Sequence, residues 1–372
     1  MYQRALSIRE QFCTSNQVDI ADSLENISHL RQQQQKYDEA VDLAHQAQKI
    51  YETLYPDGHL SIVSCLDRIG RILSQQEQYE KAFECQEQAL AIREKCDPNN
   101  HADIGRSIND MGVMLYHQGK YDKAFEFYQK ALIHYEEDYP SSCVGMLTTL
   151  VNISLIYRMQ SDYDEALDTL RRVLIIRKER CPLEYSSIAK NIQDMGDIFY
   201  EQFEYENAFE SYQEALFIIE KHYPMDHIEI ASCLQSMAVM CNATADFDRA
   251  IQCFERCLCI REASLPKDDR SIIETLMYLS QVQRNQNQHK LSLTYEMNCC
   301  LMRMKFLPTE RESIGDSLIH MAKSYEHLNK PKLALDYYKQ ALNLYKDYLP
   351  DGHENQIDME INIERLTKEM AA

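Results

Sequence analysis

A four-residue signature, aromatic–acid–x–Ala in most copies, returns every 42 residues: Tyr37-Asp38-Glu39-Ala40, Tyr79-Glu80-Lys81-Ala82, Tyr121-Asp122-Lys123-Ala124, Tyr163-Asp164-Glu165-Ala166, Tyr205-Glu206-Asn207-Ala208 and Phe247-Asp248-Arg249-Ala250. The prolines keep the same beat at Pro56, Pro98, Pro140, Pro182, Pro224, Pro266, Pro308 and Pro350, and only Pro331 is out of phase. A strict period between 20 and 50 residues marks a solenoid, whose units bury their apolar faces only against their neighbours. This displaces the two or three closed domains that a chain of 372 residues would otherwise suggest.

Eight full units follow, at 18–59, 60–101, 102–143, 144–185, 186–227, 228–269, 270–311 and 312–353. The opening half of each places apolar residues at i, i+4 and i+7, as in Ile20/Leu24/Ile27 and Ile188/Ile192/Met195. That is one face of a helix and not the alternation of a strand, so the expected class is all-α. The next position is small in every unit (Ser28, Gly70, Gly112, Ser154, Gly196, Ala238, Ser280, Ala322) and is expected to set the distance between paired helices. The second helix starts on the signature, with an acid complementing its positive end, and the in-phase proline stops it. The seventh copy drifts to His289 and Ser292 and is the expected weak stack, whereas Pro331 falls near a first turn, where proline is tolerated.

Residues 1–17 form a half-unit, since Ala5 and Ile8 lie 42 before Ala47 and Ile50. It is a second helix without its first, which implies cover from an upstream segment or an imperfect cap. Residues 354–372 read as an amphipathic capping helix through Ile357, Ile361, Leu366 and Met370.

Composition narrows the function. A net charge of −20 argues against nucleic acid or anionic lipid as the main partner. No run of 18 apolar residues offers a membrane span. Thirteen cysteines without a paired framework suit a reducing, cytoplasmic setting. Cys257 and Cys299 take the slot held by Ala47, Ala89, Ala131, Ala215 and Ala341, so they read as small hydrophobes, and no metal or other cofactor is expected. His59, His101, His227 and His353 share a loop slot, too far apart from unit to unit to share a metal, and are expected to cap helices. Phosphate loops, dinucleotide fingerprints, zinc-protease motifs and nucleophile elbows are all missing, so no enzyme activity is expected.

The small residue at Ser28, the aromatic at Tyr37 and the alanines Ala40 and Ala47 resemble the tetratricopeptide repeat. The 42-residue length and the Ala89-Leu-Ala-Ile-Arg-Glu94 segment running into a proline loop resemble its kinesin-light-chain-like class. The resemblance implies a right-handed superhelical solenoid of antiparallel helix pairs, with first helices lining a concave groove that holds peptides or partner proteins. Some kinesin light chains take acidic cargo peptides through a Leu-Asn-Asn-Leu-like segment. Here Asn109 fits the first Asn slot and Asn152 the second, but Arg68 and Asp110 do not fit the second, so cargo specificity does not carry over.

On the groove slots 64, 67, 68, 71, 74 and 75 and their equivalents, four bases (Arg68, Arg71, Arg106, Arg158) meet two acids (Asp67, Asp110). Asn109, Val113, Tyr116, Asn152 and Leu155 complete a candidate peptide-binding patch that would favour acidic segments. The alternative is that these arginines serve only to pair the acids of the solenoid. In the fifth unit the sign reverses, with Lys190 against Asp194, Asp197 and Glu201. The expected function is a non-enzymatic scaffold or adaptor. Its rival is the regulatory or targeting array of a larger enzyme or signalling protein whose catalytic part lies upstream.

Overall fold

The computed structural model describes residues 17–371, and seventeen helices and no strands lie among them. The expected half-unit at 1–17 falls, apart from Gln17, outside the described residues. The chain divides into two compact units, one ending at Arg177 and one starting at Lys178. The first contains α1 (Gln17–Gln33), α2 (Tyr37–Leu54), α3 (Leu60–Gln75), α4 (Tyr79–Cys96), α5 (His101–His117), α6 (Tyr121–Glu137), α7 (Cys143–Met159) and most of α8 (Tyr163–Arg180). The second contains α9 (Tyr185–Glu201), α10 (Tyr205–His222), α11 (Ile228–Ala243), α12 (Phe247–Ser264), α13 (Arg270–Asn285), α14 (His289–Phe306), α15 (Arg311–His327), α16 (Pro331–Lys346) and α17 (Glu354–Ala371). Odd-numbered helices up to α15 open a repeat and even-numbered ones close it. Pro331 opens α16, where its missing amide leaves no bond unmade.

Every opening helix is closed by the same device. Just past its end sits a residue with positive φ: Gln35, Glu77, Gly119, Ser161, Phe203, Ala245, Asn287 and Asn329, again 42 apart. The amide that follows reaches back five residues, from Lys36 to Arg31 and from Gln78 to Leu73, each at 2.9 Å. This left-handed closure satisfies a terminal carbonyl and reverses the chain within a few residues. The closing helices end by another route. A residue before proline is driven from the helical region, and Tyr223 and Leu265 accordingly stand at ψ 158°. These helices stop two residues ahead of the proline, whereas α6 and α16 stop three and four residues ahead of Pro140 and Pro350.

The small slot of the opening helix meets one particular side chain. A Cβ added at Gly112 would lie 2.6 Å from Tyr128, and one at Gly196 would lie 2.7 Å from Tyr212. In both cases the ring belongs to the closing helix of the same repeat, sixteen residues on. In these two repeats the glycine makes room for a ring, whereas Ala44, Gln86, Leu170 and Glu296 stand at the same register in others. Further along the closing helices a second slot holds tyrosine or arginine in every repeat but the fifth, where it is Ile219. Tyr135 and Tyr345 lie against Gly105 and Gly315, where a Cβ would come within 2.9 and 2.6 Å. Arg93, Arg261 and Arg303 occupy the same slot elsewhere and are all buried.

Each of those three arginines ties its repeat to the next. Arg93 donates to the Asp103 carbonyl at 3.1 Å and to the Ser107 hydroxyl, and pairs with Asp67 at 2.8 Å. Arg261 donates to the Ser271 carbonyl at 3.0 Å and to Thr275 Oγ1 at 2.6 Å. Arg303 repeats the pattern on the Ser313 carbonyl at 3.1 Å and Ser317 Oγ at 2.9 Å. On the other side of the stack, Gln76 donates to Asp38 at 3.1 Å and Gln286 to Asp248 at 2.8 Å. The acids at the starts of closing helices therefore also receive a bond from the next repeat.

The seventh repeat is packed by polar groups. Glu296 on α14 stands where Tyr128 and Tyr212 stand in their repeats, and is 1 % exposed. Its carboxylate accepts from Ser280 at 2.7 Å and from Arg284 at 3.1 Å, with His320 at 3.8 Å. Burial alone would raise its pKa, but the bonds from His320 and Ser280 outweigh it and the net shift is downward. Cys257 and Cys299 are fully buried, and the same burial holds the Cys299 thiol up at about 11. None of the twelve described cysteines is in a disulfide.

Candidate functional site

Helices α3, α5 and α7 carry the nine residues singled out from the sequence, and the structure sorts them into different places. Arg71, Arg106 and Val113 line one cleft together with Asp67, Ser74, Gln86, Asp110 and Met114, and it has a volume of about 510 Å³. Arg71 and Arg106 are exposed, and Arg106 pairs with Asp103 one turn back on α5 at 2.7 Å. An exposed pair of that kind is worth little and is readily exchanged for another partner.

Asn109 and Asn152 come together, but to bind each other. Asn109 Oδ1 accepts from Asn152 Nδ2 at 3.1 Å and from Thr149 Oγ1 at 2.9 Å. Its amide nitrogen faces Asp110 at 3.5 Å. This buried knot joins α5 to α7, and the amides serve the packing of repeats. Tyr116 is half-buried against His117 and Tyr121, with ring centroids 5.6 and 5.3 Å away. Burial, and then Tyr121, push its phenol upward, while the charge of Arg158 pulls the other way. Leu155 and Arg158 are half-buried on α7, and Arg68 is half-buried on α3 with an Nε that donates to no protein group. None of these last residues lines the cleft.

The acids of the cleft are not equivalent. Asp67 spends Oδ2 on Arg93, a residue of the closing helix that the groove slots did not include, and its Oδ1 accepts from nothing. Asp110 has its carboxyl pushed up by burial and by the charge of Asp67, against the pull of Asn109, Arg106 and Arg71. Gln86 on α4, outside the groove slots, forms part of the wall. The signal that could have found it is its slot, where four other repeats carry Tyr128, Tyr212, Phe254 and Tyr338.

Outside this face, the loop histidines behave in two ways. His59 Nδ1 accepts from the Ser61 amide at 3.1 Å, His227 from Glu229 at 3.4 Å and His353 from Asn355 at 3.3 Å, so these three cap the helices that follow them. At His101 the cap is taken by Asn100, and the imidazole turns to Glu137 at 2.8 Å and His134 at 3.3 Å on α6. His101 Nδ1 thus lies between the Glu137 carboxylate and the His134 ring, whose centroid is 5.6 Å from its own. In the second unit Lys190 pairs with Asp194 at 3.0 Å, and Tyr212 donates to Asp197 at 2.8 Å. Among the described residues no helix is long and apolar enough to cross a membrane.

Comparison with known proteins agrees with this architecture. The tetratricopeptide-repeat family model matches residues 19–95, 103–179 and 187–263, and a second tetratricopeptide model matches 317–350. Among curated proteins compared by sequence, none matches. Among solved structures, the apo form of RapI is 13 % identical over 95 % of this chain and 98 % of its own, with a TM-score of 0.59. The apo form of the quorum sensor NprR from B. thuringiensis is 12 % identical over 92 % and 93 %, with a TM-score of 0.58. BtubC (BKLC) from P. vanneervenii is 19 % identical over 63 % of this chain and 91 % of its own, with a TM-score of 0.53. At such identities the likeness is one of fold. The family match spans more than half of the sequence, and the chain belongs to the tetratricopeptide-repeat family.

Proposed function

We propose that the chain is a non-enzymatic, cytoplasmic interaction scaffold of the kinesin-light-chain-like kind, and that the faces of α3, α5 and α7 take extended segments of partner proteins. The observation that carries this reading is the cleft between α3, α4 and α5, with two exposed arginines at its rim. Arginine forks suit carboxylates, and an extended peptide can place one beside each fork. The rim is thus suited to acidic residues within a peptide even though the whole chain is acidic. RapI and NprR, which share the fold, are compatible with this reading but do not name a ligand for this protein.

A peptide array probed with the whole chain at physiological and at 1 M salt tests the proposal. Binders should be enriched in acidic residues and weaken at high salt, where the screening length falls to about 3 Å. An array with no binders, or binders indifferent to both acid content and salt, would overturn it.

A further inference from the structure

Gln86 holds on α4 the position that Tyr128 and Tyr212 hold 42 and 126 residues later. Gly70 faces it as Gly112 and Gly196 face those tyrosines. The backbone has kept room for a ring, but the ring is missing: a Cβ at Gly70 would meet the Gln86 amide nitrogen only at 3.3 Å, against 2.6 and 2.7 Å at the two tyrosines. The amide fills less of the space than a phenol does, and the cleft opens there.

The walls of this cleft are rich in acceptors that the protein leaves unused. Gln86 is 3 % exposed, and its Oε1 accepts no hydrogen bond. Asp67 Oδ1 and Ser74 Oγ are likewise buried and without a partner. Asp110 faces them from α5. Buried polar atoms are nearly always paired, so several orphans around one opening mark a place built for a donor. The acceptors stand on three helices: Asp67 and Ser74 on α3, Gln86 on α4 and Asp110 on α5.

We propose that this cleft receives the guanidinium of an arginine side chain from a bound peptide, while an adjacent carboxylate of that peptide meets Arg71 and Arg106. A planar fork with five N–H donors reaches acceptors on several walls at once, and it is less strongly hydrated than an ammonium. Its charge also settles between Asp67 and Asp110, which otherwise repel each other. The proposal rests on the scaffold reading above and sharpens it: the recognised element is a basic–acidic pair, not a purely acidic run.

The test uses the full chain with its methionine methyls carbon-13 labelled, because Met114 lines the cleft. Met114→Leu identifies the reporting resonance. The probes are N-acetyl-Arg-Asp-amide and its citrulline counterpart, which keeps the shape and loses the charge. The arginine probe should shift the Met114 signal saturably, and the citrulline probe should bind about tenfold or more weakly, the difference between charged and neutral hydrogen bonds. Gln86→Tyr, which restores the ring used in other repeats, should abolish the shift. Asp110→Asn, which keeps the shape of the wall, should weaken it several-fold and answers the question should Gln86→Tyr fail to fold. A silent Met114, equal binding of the two probes, or unchanged binding in Asp110→Asn or in folded Gln86→Tyr would overturn the assignment. Peptide-array binding that persists beside a silent Met114 would reject the arginine site and leave the scaffold reading in place.

Discussion

A single methyl group is enough to test how tightly the repeats are packed. At Gly112 it would fall 2.6 Å from Tyr128, closer than real contacts allow. Gly112→Ala should therefore lower the unfolding free energy in a urea titration by about 1–3 kcal/mol, the usual cost of overpacking. An unchanged value would contradict the pairing of these two residues. Asp110 gives a prediction of opposite sign. Its folded pKa is raised, first by burial, so the native state holds this proton more tightly than the unfolded chain does. Stability is then lost as pH rises from the ordinary carboxylate range through the raised value. Asp110→Asn should melt higher than the parent at neutral pH, and the gap should close in acid below both pKa values. Equal melting temperatures at neutral pH would show that Asp110 is not strained. That Arg71, Arg106 and Val113 share one face is legible in the sequence, because helical periodicity fixes direction. The sequence could not show that Asn109 and Asn152 bond to each other, since that depends on the separation of α5 and α7.

Helix ends and helix-to-helix ties were the least visible elements. The left-handed turn recurs every 42 residues, but its occupants are Gln, Glu, Gly, Ser, Phe, Ala, Asn and Asn, so no residue type announces it. Seven of them hold a conformation that glycine adopts without strain. Ala245 is exposed with φ 61°, and Ala245→Gly should raise stability by about 0.5–1 kcal/mol. Thermal unfolding checks this, and a lowered melting temperature would contradict it. The buried arginines were hidden for another reason. Arg93 sits among charged residues at the end of α4 and reads as surface, yet stacking of the next repeat covers it. Arg93→Met should cost about 3 kcal/mol, because it strands the Asp67 carboxylate. A loss no greater than that of an exposed ion pair, below about 1 kcal/mol, would mean the pair does not hold α4 to α3 and α5.

For the whole molecule, the fold was legible because a solenoid writes its period into the sequence without needing long-range pairing information. Eight in-phase prolines and six copies of one signature leave little freedom. The signature itself builds the scaffold. The proposed cleft lies where a copy departs from it, and Gln86 departs on the closing helix, which carries the regular part of the pattern. The irregular opening helices therefore carry Arg71 and Arg106 of the cleft, while Gln86 of its wall lies on a closing helix. The net charge of −20 adds a background repulsion towards acidic partners that short-range arginine contacts must exceed. The measurement that bears most directly on the scaffold reading compares the parent with an Arg71→Glu/Arg106→Glu variant on the peptides selected by the array. With melting temperatures matched, the variant should lose at least about tenfold in affinity, the scale of one charge-assisted hydrogen bond. Undiminished binding by the variant would contradict the account.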